Sequence, residues 1–249
     1  MITKALVQVF DSDEHCHHEE LLVVSELERR QIPFENFYRK ELLRRKVTFG
    51  RQTLVVGEMD CTISALKYLG VDLPKPNDYP KSLRHQLHRN LRRSTLGKVE
   101  QMVMDGVTKP FFLKPAGRAK RFTGGLIEHH DDIYIRASGV SHREPVWIVD
   151  PVEWISEYRV YVIGREIQSV DFYDGDEDQE IELPIVEQAI DELHAADEAL
   201  AAFTLDFGLL ATGETALIEM NDAFSIGAYK IPAKEYTNLL MARWVQLVG

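Results

Sequence analysis

The sequence predicts a mixed α/β (α+β) protein: a small βαβ unit ahead of a larger, strand-rich body. Three observations predict it. Up to Gly70 the chain alternates apolar strand-type runs with helical spacing. From Phe111 to about Tyr173 strand patterns dominate. Near the end, "TLDFGLLATGETALIEMND" (residues 204–222) reads as two apolar-rich strands around a Thr-Gly turn.

The elements follow in order. "ALVQVF" (5–10) is a short apolar strand, and "EELLVVSELERRQ" (19–31) has helical spacing. "TLVVG" (53–57) is a second buried strand, followed by the helix "CTISALKYLG" closed by Gly70. Pro74, Pro76 and Pro80 mark a boundary. Leu83, Leu87 and Leu91, four apart, predict a long helix over 81–106. After the strands, Pro184 opens a helix to about Ala201. The hairpin comes next, and a last helix over about 233–248 closes the chain. The division expected is 1–78 and 79–249, with a lid subdomain at about 105–150 and a metal-binding subdomain at about 151–249.

Composition narrows the class. With 249 residues the chain can bury a sizeable core. No apolar run approaches the roughly 20 residues of a membrane helix. The first residues lack the pattern of a secretory signal. Cys16 and Cys61 are too few for a disulfide framework. A cytoplasmic protein with no membrane partner is the expectation. The net charge of −11 argues against a general nucleic-acid binder.

The hairpin carries the chemistry. Side chains alternate along a strand, so Thr204, Asp206 and Gly208 share one face, and Thr215, Leu217, Glu219 and Asn221 share the corresponding face of the partner. A two-residue turn at Thr212-Gly213 pairs Asp206 with Glu219. Like charges directly opposed are destabilising. A divalent cation would offset that repulsion, and an all-oxygen set suits magnesium or manganese. Asn221 adds a neutral oxygen. A solvated face with incidental acids is the plainer alternative.

Two further stretches bear on this. "KPFFLKPAGRAKRFTGG" (109–125) has a strand ending in Lys114, then a Gly-rich loop with Arg118, Lys120 and Arg121. Glycine admits close backbone approach to an anion, and the cations neutralise phosphate oxygens. "VWIVDPVEWISEYRVYVIG" (146–164) runs through Asp150-Pro151 into a strand with Glu157, Arg159 and Tyr161 on one side. An exposed basic loop and a structural Glu157–Arg159 pair would explain the two stretches without a ligand.

In this order the elements resemble the ATP-grasp superfamily. Its members carry a metal-binding Asp on one strand and Glu-x-Asn on the next, matched here by Asp206 and by Glu219-Met220-Asn221. "EYRVYV", "LDFG", "IEMND" and "GAYK" look closest to a lineage of compact ATP-grasp proteins of phages and bacteria. The resemblance covers about 79–249. It implies two α+β subdomains gripping a nucleotide, preceded by a small βαβ domain, and it implies ATP with Mg²⁺ or Mn²⁺ as cofactors. By the same resemblance Lys114 and Lys120 would bind phosphates. The linker with Val149 and Val152 would frame adenine, and Glu157 would meet the ribose. Many relatives place an Arg two residues before the metal-binding Asp, where this chain has Thr204. Arg159 or Lys230 would supply that charge in catalysis. The activity implied joins a small-molecule or peptide carboxylate to an amine through an acyl phosphate. A small-molecule kinase and a non-catalytic nucleotide-binding module are the alternatives.

Other clusters carry less. "EHCHHEE" (14–20) lacks zinc-site spacing and reads as a loop-to-helix start. "RHQLHRNLRR" (84–93) reads as a solvated basic face, and "DGDEDQE" (174–180) as a solvated loop without EF-hand spacing.

Overall fold

The computed structural model describes residues 1–10, 16–106, 109–117 and 121–249. The chain begins with a parallel sheet. β1 (Lys4–Val9) lies between β2 (Phe34–Tyr38) and β3 (Thr53–Val56). α1 (His18–Arg29) crosses from β1 to β2, α2 (Arg39–Leu43) follows β2, and α3 (Met59–Tyr68) follows β3. β1 is buried at five of six positions, as a central parallel strand covered on both faces should be. β2 has no counterpart among the expected elements, because this edge strand, "FENFY", buries only Phe37 and so has no apolar run. Gly70 ends α3 at φ +70°, the left-handed conformation a helix stop of this kind needs.

The opposite end of the chain completes this core. α7 (Ala233–Val248) packs along α1, and its Leu239, Leu240 and Trp244 sit among Leu6, Val23, Leu27 and Leu54. Burying that stripe drives α7 onto the N-terminal unit.

The second sheet is antiparallel, in the order β4 (Leu91–Thr95), β7 (Pro145–Val149), β5 (Phe111–Pro115), β6 (Gly125–Ile127). α4 (Leu96–Met104) and α5 (His130–Ala137) cover it around Leu96, Val99, Leu113, Ile127 and Val146. Here the expected long helix over 81–106 is corrected. The segment is a short 3-10 turn (Arg84–Leu87), then β4, then α4. His88, at φ 49°, breaks the helical path. Leu83, Leu87 and Leu91 do face one core, but four residues is also two strand periods, so the spacing fits both forms.

The third sheet is also antiparallel. Its order is β11 (Thr215–Asp222), β10 (Ala202–Leu210), β8 (Trp154–Ile163), β9 (Glu166–Gly175). α6 (Leu183–Ala195) lies on one face, with Val186, Ile190 and Leu193 against Val160, Leu205, Phe207 and Leu217. Pro184 opens α6 as expected, but the helix stops at Ala195 rather than about Ala201. Asp197 turns the chain at φ 56°. The sheet's other face is polar and looks toward the second sheet across a cavity. Among the described residues no helix is long and apolar enough to cross a membrane.

Candidate active site

The hairpin reaches the expected pairing by a different route. Its connection is residues 211–214, closed by Leu210 N–H donating to the Glu214 carbonyl at 2.9 Å, with Gly213 at φ 97°. That sets Phe207 opposite Leu217, one residue away from the register of a two-residue turn. A bulge between Asp206 and Phe207 absorbs the offset, so Asp206 still faces Glu219. The extra residue is Ile218. The bulge also resets the alternation: Leu217, expected on the acidic face, packs with Phe207 and Met220 in the core instead. Arg89 pins the bulge, donating from Nη1 to the Leu217 carbonyl and from Nη2 to that of Ile218, both at 2.8 Å. The open edge of β11 is covered by the stretch around Asp78: Met220 N–H donates to the Asp78 carbonyl at 2.9 Å.

Arg159 on β8, Asp206 on β10 and Glu219 on β11 are successive partners across the sheet. Arg159 Nε and Nη2 donate to Asp206 Oδ1 and Oδ2, each at 2.8 Å, in a two-pronged fork. Asn221 Nδ2 donates to Asp206 Oδ2 and Glu219 Oε1, both at 3.2 Å. Lys114 reaches over from β5, pairing with Glu219 and, at 3.0 Å, with Asp78. Three carboxylates thus meet two cations, leaving one formal negative charge. The repulsion between Asp206 and Glu219 is therefore answered within the chain by Arg159 and Lys114, and the fold does not require a metal for it.

Burial pushes the Asp206 carboxyl up, against the pull of Arg159. Burial alone would lower Lys114, but Glu219, Tyr79 and Asp78 outweigh it and hold the ammonium well above the usual lysine range. Burial likewise raises Glu157, whose Oε2 accepts from Tyr173 Oη at 2.7 Å. Tyr173 stacks on Tyr229, and the Arg159 guanidinium lies 5.0 Å from the Tyr229 ring centre.

Lys114, Gly124, Arg159, Glu219, Asn221 and Tyr229 line one cavity of about 940 Å³. That is at the upper end of the ~300–1,000 Å³ typical of small-molecule sites. Gly124, directly before β6, lies close against β5: a Cβ there would stand 3.0 Å from Lys114 Cβ and 3.2 Å from the Leu113 carbonyl.

Of the residues singled out from sequence, the fold brings together Lys114, Arg159, Asp206, Glu219 and Asn221. Glu157 sits one strand period from Arg159, half-buried and off the cavity wall. Val149 is buried at the end of β7, and Val152 follows it; neither lines the cavity. Lys120 and Arg118 lie outside the described residues. Lys230 is not brought in: its ammonium pairs with Glu177 at the surface. The alternative of a structural Glu157–Arg159 pair is set aside too, because Arg159 turns to Asp206 on the neighbouring strand. Sequence reasoning missed Asp78 and Tyr229, which lie in irregular segments with no period to place them. It also took Arg89 for part of a solvated face, whereas burial and three carbonyls hold it inward.

The donor set suits a hard divalent cation shared with phosphates. Asp206 and Glu219 offer carboxylate oxygens, and Asn221, whose Nδ2 donates to both, would offer its amide oxygen once the amide turns. Among the described residues no cluster of three or more His, Cys, Asp or Glu forms a metal cage. Magnesium is commonly held in this shared manner, by one or two carboxylates and substrate phosphates. Lys114 and Arg159 stand beside the set, paired with Glu219 and Asp206.

Solved structures share this architecture. A RimK domain ATP-grasp protein from Sphaerobacter thermophilus aligns over 95% of this chain and 99% of its own at 12% identity, TM-score 0.56. D-alanine–D-alanine ligase from Bacillus anthracis aligns over 99% and 98% at 11% identity, TM-score 0.57. The ATP-grasp ligase PsnB, solved with a phosphomimetic variant of its minimal precursor, Mg and ADP, aligns over 98% and 98% at 14% identity, TM-score 0.53. No curated protein sequence matches the chain. The fold and the family model together define an ATP-grasp protein. The model of the ATP-grasp domain of the R-2-K clade, family 2, matches residues 87–239, more than half the chain, and the chain belongs to that family.

Proposed function

We propose that the chain is an ATP- and Mg²⁺-dependent ligase that joins a carboxylate to an amine through an acyl phosphate. The convergence of Glu219, Asn221, Lys114 and Arg159 at one cavity, with Asp206 buried directly behind Arg159 and Asn221, carries the reading. Family membership supports it, as does the Mg and ADP bound by PsnB. Lys114, joined by Lys120, binds ATP phosphates. The linker of Val149 and Val152 frames adenine, and Glu157 accepts from ribose hydroxyls. Asp206, Glu219 and Asn221 hold Mg²⁺, for which Mn²⁺ can substitute. The ion supplies charge neutralisation on the phosphate oxygens. Arg159 exchanges its fork on Asp206 for the charge developing on the transferred group. Lys230 can join it only by leaving Glu177. The substrates are a carboxylate and an amine, each a small molecule or peptide; the D-alanine and peptide-precursor neighbours span that range.

A screen of amino acids, peptides and small carboxylates for ADP release tests the reading. A ligase releases ADP and phosphate only with carboxylate, amine and Mg²⁺ all present. Glu219→Gln should stay folded and lower that release by roughly 100-fold. Phosphate retained on a hydroxyl product would make the protein a kinase instead. Undiminished release by Glu219→Gln would remove Glu219 from the metal set.

A further inference from the structure

The connection from β11 to α7, residues 223–232, is irregular, yet side chains from four elements hold it. Tyr236 Oη of α7 donates to the Ile226 carbonyl at 2.6 Å. Tyr161 Oη of β8 donates to the Gly227 carbonyl at 3.1 Å and accepts from Tyr229 N–H at 3.2 Å. Glu19 Oε1 of α1 accepts from Ala228 N–H at 3.3 Å, and Asp171 Oδ2 of β9 accepts from Lys230 N–H at 2.7 Å. Each residue of 226–230 is thus tied by a side chain. Backbone groups away from water need partners, which accounts for the bonds themselves. It does not account for what the tied stretch carries.

That stretch carries Tyr229, whose ring is 41% exposed and lines the larger cavity. Burial therefore does not fix this ring; its neighbours do. It stacks on Tyr173, with ring centres 5.0 Å apart and planes 11° apart, and Tyr173 Oη is itself held by Glu157. The Arg159 guanidinium stands 5.0 Å from the Tyr229 ring centre. Two residues earlier, the Gly227 carbonyl accepts from Arg159 Nη1 at 3.4 Å. The guanidinium is therefore held by Asp206 at Nε and Nη2, by Gly227 at Nη1, and by the Tyr229 ring. In the proposed reaction the first hold ends, because Arg159 gives up its fork on Asp206. The other two come from the pinned stretch and do not involve Asp206. Arginine has much rotamer freedom to lose, so a group that still holds it after the fork opens lowers the cost of placing its charge.

We propose that Tyr229 is a positioning residue for Arg159. Its ring, pinned through Tyr161 and Tyr173, keeps the guanidinium beside the transferred phosphoryl group once Asp206 has released it. The attraction of a cation belongs to the face of the ring and not to its hydroxyl. This deepens the proposed function: it rests on that reading for phosphoryl transfer and for the part of Arg159 in it, and not for the identity of either substrate.

ADP with Mg²⁺ is titrated into the full chain by calorimetry, with and without aluminium fluoride, which stands in for the phosphoryl group in transfer. The gain in ADP affinity brought by the fluoride is the readout. The unmodified protein should gain about tenfold or more, and Arg159→Met should abolish the gain. Tyr229→Leu should lose most of it, about tenfold, while its affinity for ADP alone stays within about twofold of the unmodified protein. Tyr229→Phe keeps the ring face and should keep the gain. A full gain in Tyr229→Leu would overturn the proposal and leave the role of Arg159 standing. So would a loss in Tyr229→Phe equal to that in Tyr229→Leu, or a fall in affinity for ADP alone as large as the loss of gain. No gain in the unmodified protein, or a gain that survives Arg159→Met, would remove Arg159 from the phosphoryl group and the role of Tyr229 with it.

Discussion

Asp206 is 2% exposed, and Arg159 grips both its oxygens. Removing one partner of such a pair strands the other, which typically costs about 3–5 kcal/mol. Arg159→Met should therefore destabilise the protein at neutral pH by about that amount, measured by urea denaturation. The pH dependence has a definite sign. Burial already raises the folded-state pKa of Asp206, and loss of Arg159 raises it further. A carboxyl with a raised folded pKa binds more protons folded than unfolded, so falling pH favours the folded form. The deficit of Arg159→Met should be full above that raised pKa and shrink as the pH drops through it. Adding Asp206→Asn to Arg159→Met should recover part of the loss at neutral pH. A deficit that ignores pH and is not eased by Asp206→Asn would mean that Arg159 contributes through packing alone.

At the scale of elements, the hairpin divides what sequence makes legible from what it does not. Its two strands and the facing of Asp206 and Glu219 follow from alternation. The turn and the bulge do not: they are two one-residue offsets that cancel in the pairing of the acids but not at Leu217. Nothing local marks Ile218 as the extra residue, because Arg89, far away in sequence, holds its carbonyl. The same limit explains the segment 81–106, where apolar spacing of four fits either a helix or a strand and tertiary pairing with β7 decides. Lys114 and Arg159 were legible as cations on strands. Their partners were not, since Asp78 sits in a Pro-rich stretch without periodicity. Arg89→Met tests the bulge. It leaves two buried carbonyls unmet at the hairpin and should cost about 1–3 kcal/mol. It should also weaken Mg²⁺-dependent ATP binding, measured by titration under conditions where the variant stays folded. Intact ATP affinity in a destabilised Arg89→Met protein would confine Arg89 to a role in stability.

At the scale of the molecule, the described residues form three separate apolar cores. The second and third sheets meet across the cavity, where Lys114 of one pairs with Glu219 of the other. In the proposed function, ATP with Mg²⁺ enters between these sheets, and both then contact one ligand. A ligand that binds only the folded state stabilises it by about 2.7 kcal/mol at a hundred times its Kd. A chain of this size shifts in Tm by about 2–4 °C per kcal/mol, so the rise should be roughly 5–10 °C. The rise should need nucleotide and ion together and should largely vanish in Glu219→Gln. Its distribution is the sharper test. The N-terminal parallel sheet contributes no strand to this cavity, whereas β5 and β11 both face it. Amide exchange should therefore slow most in β5, β6 and β11, and least in β1 and β2. Equal slowing across all three sheets would point to general stabilisation by a ligand bound elsewhere. No slowing in β5 and β6 would mean that the nucleotide does not bridge the two sheets.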